Sequence, residues 1–286
     1  MSDQPAKPKR ESFYRHARAT RITHWVNVLC IALLLMSGLN IFNAHPRLYW
    51  GQAGSDLDRP IAWIDAVGPP GKQRGMMVIG PLRVETTGVL GLSKENGELR
   101  RRAFPSWITI PSARDLGNAR RWHFFFAWLF AINGLIYILF GVFNRHFVRD
   151  LTPTKEEIKP KHIWHDIVRH AQLKFPTGEA AKRYNILQKF AYLSVIALLL
   201  PTMVLTGLTM SPGFNAAAPV LLDIFGGRQS ARTIHFISAS LIVGFILVHL
   251  LMVFLAGPIN EIRSMITGRY EIKPDPAPKA KVEAAP

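Results

Sequence analysis

Residues 235–249 read HFISASLIVGFILVH, an apolar run without a charge and with a histidine at each end. At about 1.5 Å and about 100° per helical residue, fourteen residues carry His249 about 21 Å from His235 and return it to nearly the same face. Two ligands of one metal stand only about 4 Å apart. The spacing therefore calls for two sites stacked along one helix, each completed by another element. Two further histidines are placed to do this: His24 opens an apolar block near the N-terminus, and His123 opens a second one. A pair of neutral imidazoles among apolar helices, with no carboxylate beside them, suits the axial positions of a b-type haem. Zinc or copper would require third and fourth ligands, and the apolar blocks supply none. The expected metal ligands are His24, His123, His235 and His249, with no catalytic residue in the chain.

The elements that must carry these residues are four long apolar blocks, Trp25–Phe42, Trp122–Phe143, Ile186–Met210 and Ile234–Phe254, in a chain of 286 residues that is 49% hydrophobic with a mean hydropathy of +0.12. Each approaches the ~20 residues that cross a hydrocarbon core as a helix. The expected fold is an all-α membrane protein, a four-helix transmembrane bundle with two haem sites. Its spans lie near 23–43, 121–143, 186–209 and 232–255 within a membrane domain 14–270. Polar tails 1–13 and 271–286 are expected to be disordered. The long first loop, 45–119, is expected to form a non-cytoplasmic cap: its MMVIG run and the following PLRVETTGVLGL suggest a small hairpin or irregular cover. The loop 144–184 contains IWHDIVRHAQLKF, an amphipathic helix for the cytoplasmic interface. Pro201 should kink the third span. No internal repeat is evident. The lone Cys30 sits inside the first span and excludes an intramolecular disulfide.

Six Lys and Arg precede the first span and nine lie between Asn144 and Tyr184. This bias places both termini in the cytoplasm. The net charge of +16 then reads as attraction to anionic lipid, not nucleic acid, because the basic residues flank the spans. Depth pairs His24 with His249 on the inner side and His123 with His235 on the outer. Arg120, Arg121 and Arg232 outside, and Arg15, Arg18 and Arg21 inside, are candidates for haem propionates. Asn27, with Arg183, Tyr184 and Asn185, is a candidate contact for a quinone or quinol near the inner haem. Gly38, Gly134, Gly141, Gly207, Ser238, Ser240 and Gly244 could make room for a flat macrocycle, or pack helices. Of the remaining histidines, His16 is set further out and turned about 80° from His24 if the helix continues, and His45, His146, His162, His165 and His170 are expected to be solvated in loops.

The function expected from these residues is electron transfer across the membrane between a quinone pool and a periplasmic redox partner docked on the cap. Two other classes remain. A small transporter or channel could use the histidines as a proton relay, although Lys189 is the one charged residue within the four apolar blocks and is close enough to the inner end to snorkel. A cofactor-free membrane anchor is also compatible with the long outer loop.

On His24, His123 and the His235/His249 pair, the chain resembles the bacterial cytochrome b561 family, the membrane subunits of nickel-iron hydrogenases, formate dehydrogenases and thiosulfate reductases, over about residues 13–270. The resemblance implies two haems b, the outer held by His123 and His235 and the inner by His24 and His249, with a quinone site near the inner one. The segment AFPSWITIPSARDLGNARRWHFFFAWLFAINGLIY, 103–137, is similar to b-type subunits whose exported partner is a molybdopterin oxidoreductase of the sulfite-oxidase type. Four spans instead of five, and the longer outer loop, depart from the hydrogenase subunits.

Overall fold

The computed structural model describes residues 12–55, 58–95, 97–174, 178 and 182–272. Four stretches of helix are long and apolar enough to cross a membrane: α1 (Arg18–Phe42), α2 (Leu116–Phe143), the span Ile186–Thr209, and α8 (Arg228–Ala256). The protein is a multi-pass membrane protein. The third span contains α4 (Ile186–Leu193) and α5 (Leu200–Thr209), joined by a π-helical segment, Ser194–Leu199. Pro201 cannot donate to the turn behind it, and the chain accommodates that loss by widening this turn. The shorter helices are α3 (Pro160–Ala171), α6 (Pro212–Ala217), α7 (Val220–Ile224) and α9 (Pro258–Thr267), beside a 3-10 turn at Ser106–Ile108 and a π-helical turn at Phe147–Leu151.

The spans expose most of their Leu, Ile, Val and Phe, as a lipid-facing surface requires, and bury narrow stripes of smaller or aromatic residues. On α1 the stripe is Thr23, Cys30 and Ser37, at heptad spacing; on α2 it is Phe126, Phe130 and Asn133. Cys30, Phe126 and Phe130 form a core with Val26, Leu34, Leu200 and Val204 around them.

Two compact units divide the chain. One comprises Thr23–Ile138 and Ser194–Phe245. It contains the departure from an all-α reading, because the 45–119 segment is largely β. Strands β2 (Arg47–Leu48), β3 (Ala62–Val67), β4 (Arg74–Ile79) and β5 (Leu82–Glu85) make a four-stranded antiparallel meander in sequence order. The MMVIG run is β4; it turns through Gly80 and Pro81 so that Ile79 faces Leu82. Gly80 has φ +55°, the first central position of a two-residue hairpin turn that selects glycine. A second hairpin pairs β6 (Gly91–Glu95) with β7 (Glu98–Arg102). This β layer packs on the helix ends through Phe42, Leu48, Ile64 and Ala103, with Phe104 and Phe236 against them. Its polar ties are equally direct. Asn43 exchanges two hydrogen bonds with the Phe104 backbone, Asn40 Nδ2 donates to the Pro111 and Ala113 carbonyls, and Thr233 Oγ1 donates to the Tyr49 carbonyl at 2.6 Å.

The other unit comprises Met1–Ile22, Leu139–Leu193 and Ile246–Pro286. Ser12 and Phe13, within the tail read as 1–13, are ordered: β1 (Ser12–Tyr14) pairs antiparallel with β8 (Arg269–Glu271). The rest of both expected tails, 1–11 and 273–286, lies outside the described residues. Arg15 lies over Tyr270 at 4.6 Å and Tyr184 at 5.4 Å, with Glu261 3.9 Å away. Burial pushes the Tyr184 hydroxyl above its usual range against the pull of Arg15. Asn185 and Gln188 form a reciprocal cap at the start of α4. The expected amphipathic helix is α3, with Trp164 and Ile167 exposed, and α9 likewise exposes Ile259, Ile262 and Ile266.

Candidate functional site

Helices α2 and α8 bring His123 and His235 together, with ring centres 6.3 Å apart and planes inclined by 60°. Two metal–nitrogen bonds of about 2 Å, plus about 1 Å from each ring centre to its nitrogen, would set two axial imidazoles about 6 Å apart. The observed pair therefore fits a metal at the centre of a planar macrocycle. Among the described residues no three or more His, Cys, Asp or Glu gather as a closed metal site would require.

Each ring is flanked by a hydroxyl and a glycine. Ser37 Oγ lies 3.1 Å from His123 Nδ1, and Thr206 Oγ1 lies 3.0 Å from His235 Nδ1. A methyl group on Gly38 would stand 3.3 Å from His123 Cε1, and one on Gly207 would stand 3.6 Å from His235 Cε1. Of the small residues singled out in the sequence, these two adjoin the histidines. Gly141 instead admits the Phe147 ring, and nothing lies within 4 Å of where a side chain would begin at Gly134 or Gly244. The two contact distances differ in kind: 3.3 Å forces the imidazole to shift, whereas 3.6 Å is ordinary contact. Gly38→Ala is expected to broaden or shift the absorption band of a haem held by His123 and His235, and Gly207→Ala to leave it close to the unaltered protein, a comparison made in one spectrophotometric series.

Arg232, one turn before His235, donates from Nη1 to the Arg47 carbonyl at 2.9 Å and from Nη2 to the His45 carbonyl, while its guanidinium lies 5.6 Å from the Phe42 ring centre. It clamps the β layer to the start of α8. Beside it, the Tyr49 ring is 2% exposed, and its hydroxyl has no hydrogen-bond partner among the described residues. A buried, unpartnered donor near an arginine suits a carboxylate such as a propionate. Arg121 is exposed, with Asn118 Oδ1 at 3.5 Å, and Arg120 is exposed over Phe124. His45 is not simply solvated, since it stacks on Tyr49 at 5.7 Å.

Lower in the same unit, Asn133 Nδ2 donates to the Thr23 carbonyl and to Asn27 Oδ1, both at 2.8 Å. Asn27 therefore ties α1 to α2 beside His24. His24 and His249 are both half-buried on their helices. In the other unit, Arg21 donates to the Ile266 carbonyl at the end of α9, a partner suited to the helix dipole. Lys189 does not snorkel: it is 6% exposed, and its Nζ lies 2.9 Å from both carboxylate oxygens of Glu157.

Ser37, Thr206 and Tyr49 were not among the residues expected from sequence. A signal for the first two was present. Ser37-Gly38-Leu39 and Thr206-Gly207-Leu208 are the same small motif, and each histidine follows an arginine three residues earlier and precedes a phenylalanine: Arg120, His123 and Phe124; Arg232, His235 and Phe236. The two helix pairs thus share a short local pattern, without a repeat of fixed spacing.

The chain combines four helices long and apolar enough to span a membrane with a facing pair of helix-borne imidazoles, and it belongs to the prokaryotic cytochrome b561 family, which it matches over residues 15–268. This is a haem-binding family of membrane electron carriers. Among curated proteins, the chain is 28% identical over 246 residues to the "Putative protein-methionine-sulfoxide reductase subunit YedZ1" of Azospira oryzae, covering 86% of this chain and 93% of that protein. No solved structure matches it.

Proposed function

We propose that this protein is a di-haem b cytochrome carrying electrons across the bacterial inner membrane from a quinol to a redox subunit on the periplasmic side. The observation that carries the reading is the pair His123 and His235, drawn from two spans at a separation suited to axial ligation. A bound haem supplies a one-electron couple, buried in a medium of low dielectric. The protein's part is to hold and orient: His123 and His235 ligate the outer group, Arg232 and Tyr49 offer donors to its carboxylates, and the apolar stripes exclude water. His24 and His249 ligate the inner group, a pairing that rests on the fourteen-residue spacing in the sequence. Both termini are cytoplasmic in this reading, and the β layer is the periplasmic docking face. Arg121 and Arg21 are left to surface and backbone roles.

The partner is a periplasmic reductase. The Azospira oryzae relative is described as a subunit of a reductase acting on protein methionine sulfoxide, and a reductase consumes electrons. A molybdopterin oxidoreductase remains the proposed chemistry of that partner, on the resemblance of residues 103–137.

A transporter reading loses its charged residue, since Lys189 is paired with Glu157.

The test is a reduced-minus-oxidised spectrum of the purified protein. It should show a b-type signature with about two haems per chain, reduced in membranes on adding a short-chain quinol. Purification without haem after haem-replete expression would overturn the reading.

A further inference from the structure

His123 and His235 are held alike, and the manner decides which ring nitrogen is left for a ligand. Ser37 is fully buried on α1; its Oγ lies 2.6 Å from the Leu33 carbonyl and 3.1 Å from His123 Nδ1. Thr206 is fully buried on α5; its Oγ1 lies 2.6 Å from the Thr202 carbonyl and 3.0 Å from His235 Nδ1. A hydroxyl has one proton to donate. In both helices the short bond runs to the carbonyl four residues back, the usual back-bond of a helical Ser or Thr. The oxygen therefore meets the imidazole as an acceptor, and Nδ1 must carry the ring proton. Nε2 is left with its lone pair, and among the described residues neither Nε2 has a hydrogen-bond partner.

We propose that Ser37 and Thr206 are positioning residues for the outer haem: two hydroxyl acceptors that fix the Nδ1–H tautomer and ring plane of His123 and His235 and so make Nε2 the ligand nitrogen on both faces. The proposal rests on the haem reading above. The recurrence of the same arrangement on two helix pairs carries it further than either contact alone. The hydroxyl and its following glycine occur on α1 for the histidine of α2, and again on α5 for the histidine of α8. The outer site thus lies between two equivalent helix pairs, each supplying one ligand, one acceptor and one glycine against which the ring lies. An acceptor on Nδ1–H makes the imidazole a stronger donor to the metal and favours the ferric form. Removing it should weaken haem retention and raise the midpoint potential.

The experiment uses the full-length, haem-loaded protein in detergent, with Ser37→Ala and Thr206→Val as deletions of the hydroxyl, and Ser37→Thr and Thr206→Ser as hydroxyl-keeping controls. Three quantities are read: the low-spin ferric signal of each haem, each midpoint potential, and the rate of haem loss to apomyoglobin. In both deletions the outer haem should show a shifted low-spin signal and a higher potential, and should be lost about tenfold faster. The inner haem should be unchanged, and the hydroxyl-keeping variants should behave as the unaltered protein does. A role in helix packing alone would alter stability without moving the potential of one haem selectively. The proposal is overturned if both deletions leave the outer haem's signal and potential unchanged while His123→Ala removes that haem. If His123→Ala removes no haem, the ligand assignment fails first and the proposal with it. Should Ser37→Ala not accumulate, Thr206→Val alone decides between these outcomes.

Discussion

Alanine in place of His123, and separately in place of His235, is expected to remove the same haem, reducing the content from about two per chain to about one. Alanine at His24 or His249 should each remove the other. The argument is geometric. Fourteen residues along α8 separate its two histidines by about 21 Å, so neither can compensate for the loss of the other, whereas His123 and His235 face each other across 6.3 Å. The substitutions should leave the fold standing. Alanine has the highest helix propensity, and one and two turns beyond His123 the same stripe continues through Phe126 and Phe130, whose packing with Cys30 does not use the imidazole. Haem per chain by pyridine haemochrome, together with the circular dichroism of the same samples, separates lost ligation from lost structure. Loss of both haems from a variant with full helical content would show a shared site and defeat the two-site reading; retention of both would remove the residue from the ligand set.

The parts of this architecture that were legible in the sequence are those with strong one-dimensional constraints. A bilayer demands about 20 apolar residues per helix, so α1, α2 and α8 stand out as blocks. The helical period relates His235 to His249 without further information. The β layer is different: its strands carry Arg74, Arg83, Glu98 and Arg100, and their pairing depends on partners the local pattern does not reveal. Only the run ending at Gly80-Pro81 carried a turn signal. The role of Ser37 and Thr206 was not legible from their short sequence pattern, for another reason. Inside a span, a hydroxyl residue reads as small-residue packing, and its use as an acceptor appears only when the opposing ring is in place. The shared Ser/Thr-Gly-Leu pattern stands at unequal distances from the two histidines, because the β layer lies between Gly38 and His123 while only a shorter connection lies between Gly207 and His235. Arg232 was readable as an arginine at the start of α8, one turn before His235, but its two bonds to loop carbonyls required the fold to be seen.

Lys189→Ala is expected to destabilise the protein by about 3 kcal/mol, toward the lower end of the range for breaking a buried pair because the Glu157 side chain keeps some contact with solvent. Lys189 was readable as a lysine near a span end, and its partner was not, since Glu157 lies 32 residues earlier in a charged loop. Removing the ammonium leaves a carboxylate that the fold has partly desolvated, and this explains the expected size. Replacing both members by Met and Gln should recover most of the loss, because no uncompensated charge then remains. The pH dependence gives an independent check. Burial alone would raise the Glu157 carboxyl, but the Thr154 amide and the Lys189 ammonium outweigh it and hold the group below its ordinary value of 4.5. A group depressed on folding adds stability above its unfolded value, and that increment fades as the pH falls through the folded one. The pair's contribution should therefore be complete above about pH 4.5 and decline below it, and Lys189→Ala should flatten that decline. Thermal unfolding in detergent between pH 3 and pH 7, with the single and double variants side by side, measures both effects; a coupling within about 0.5 kcal/mol of zero would show that the pair contributes position without stability.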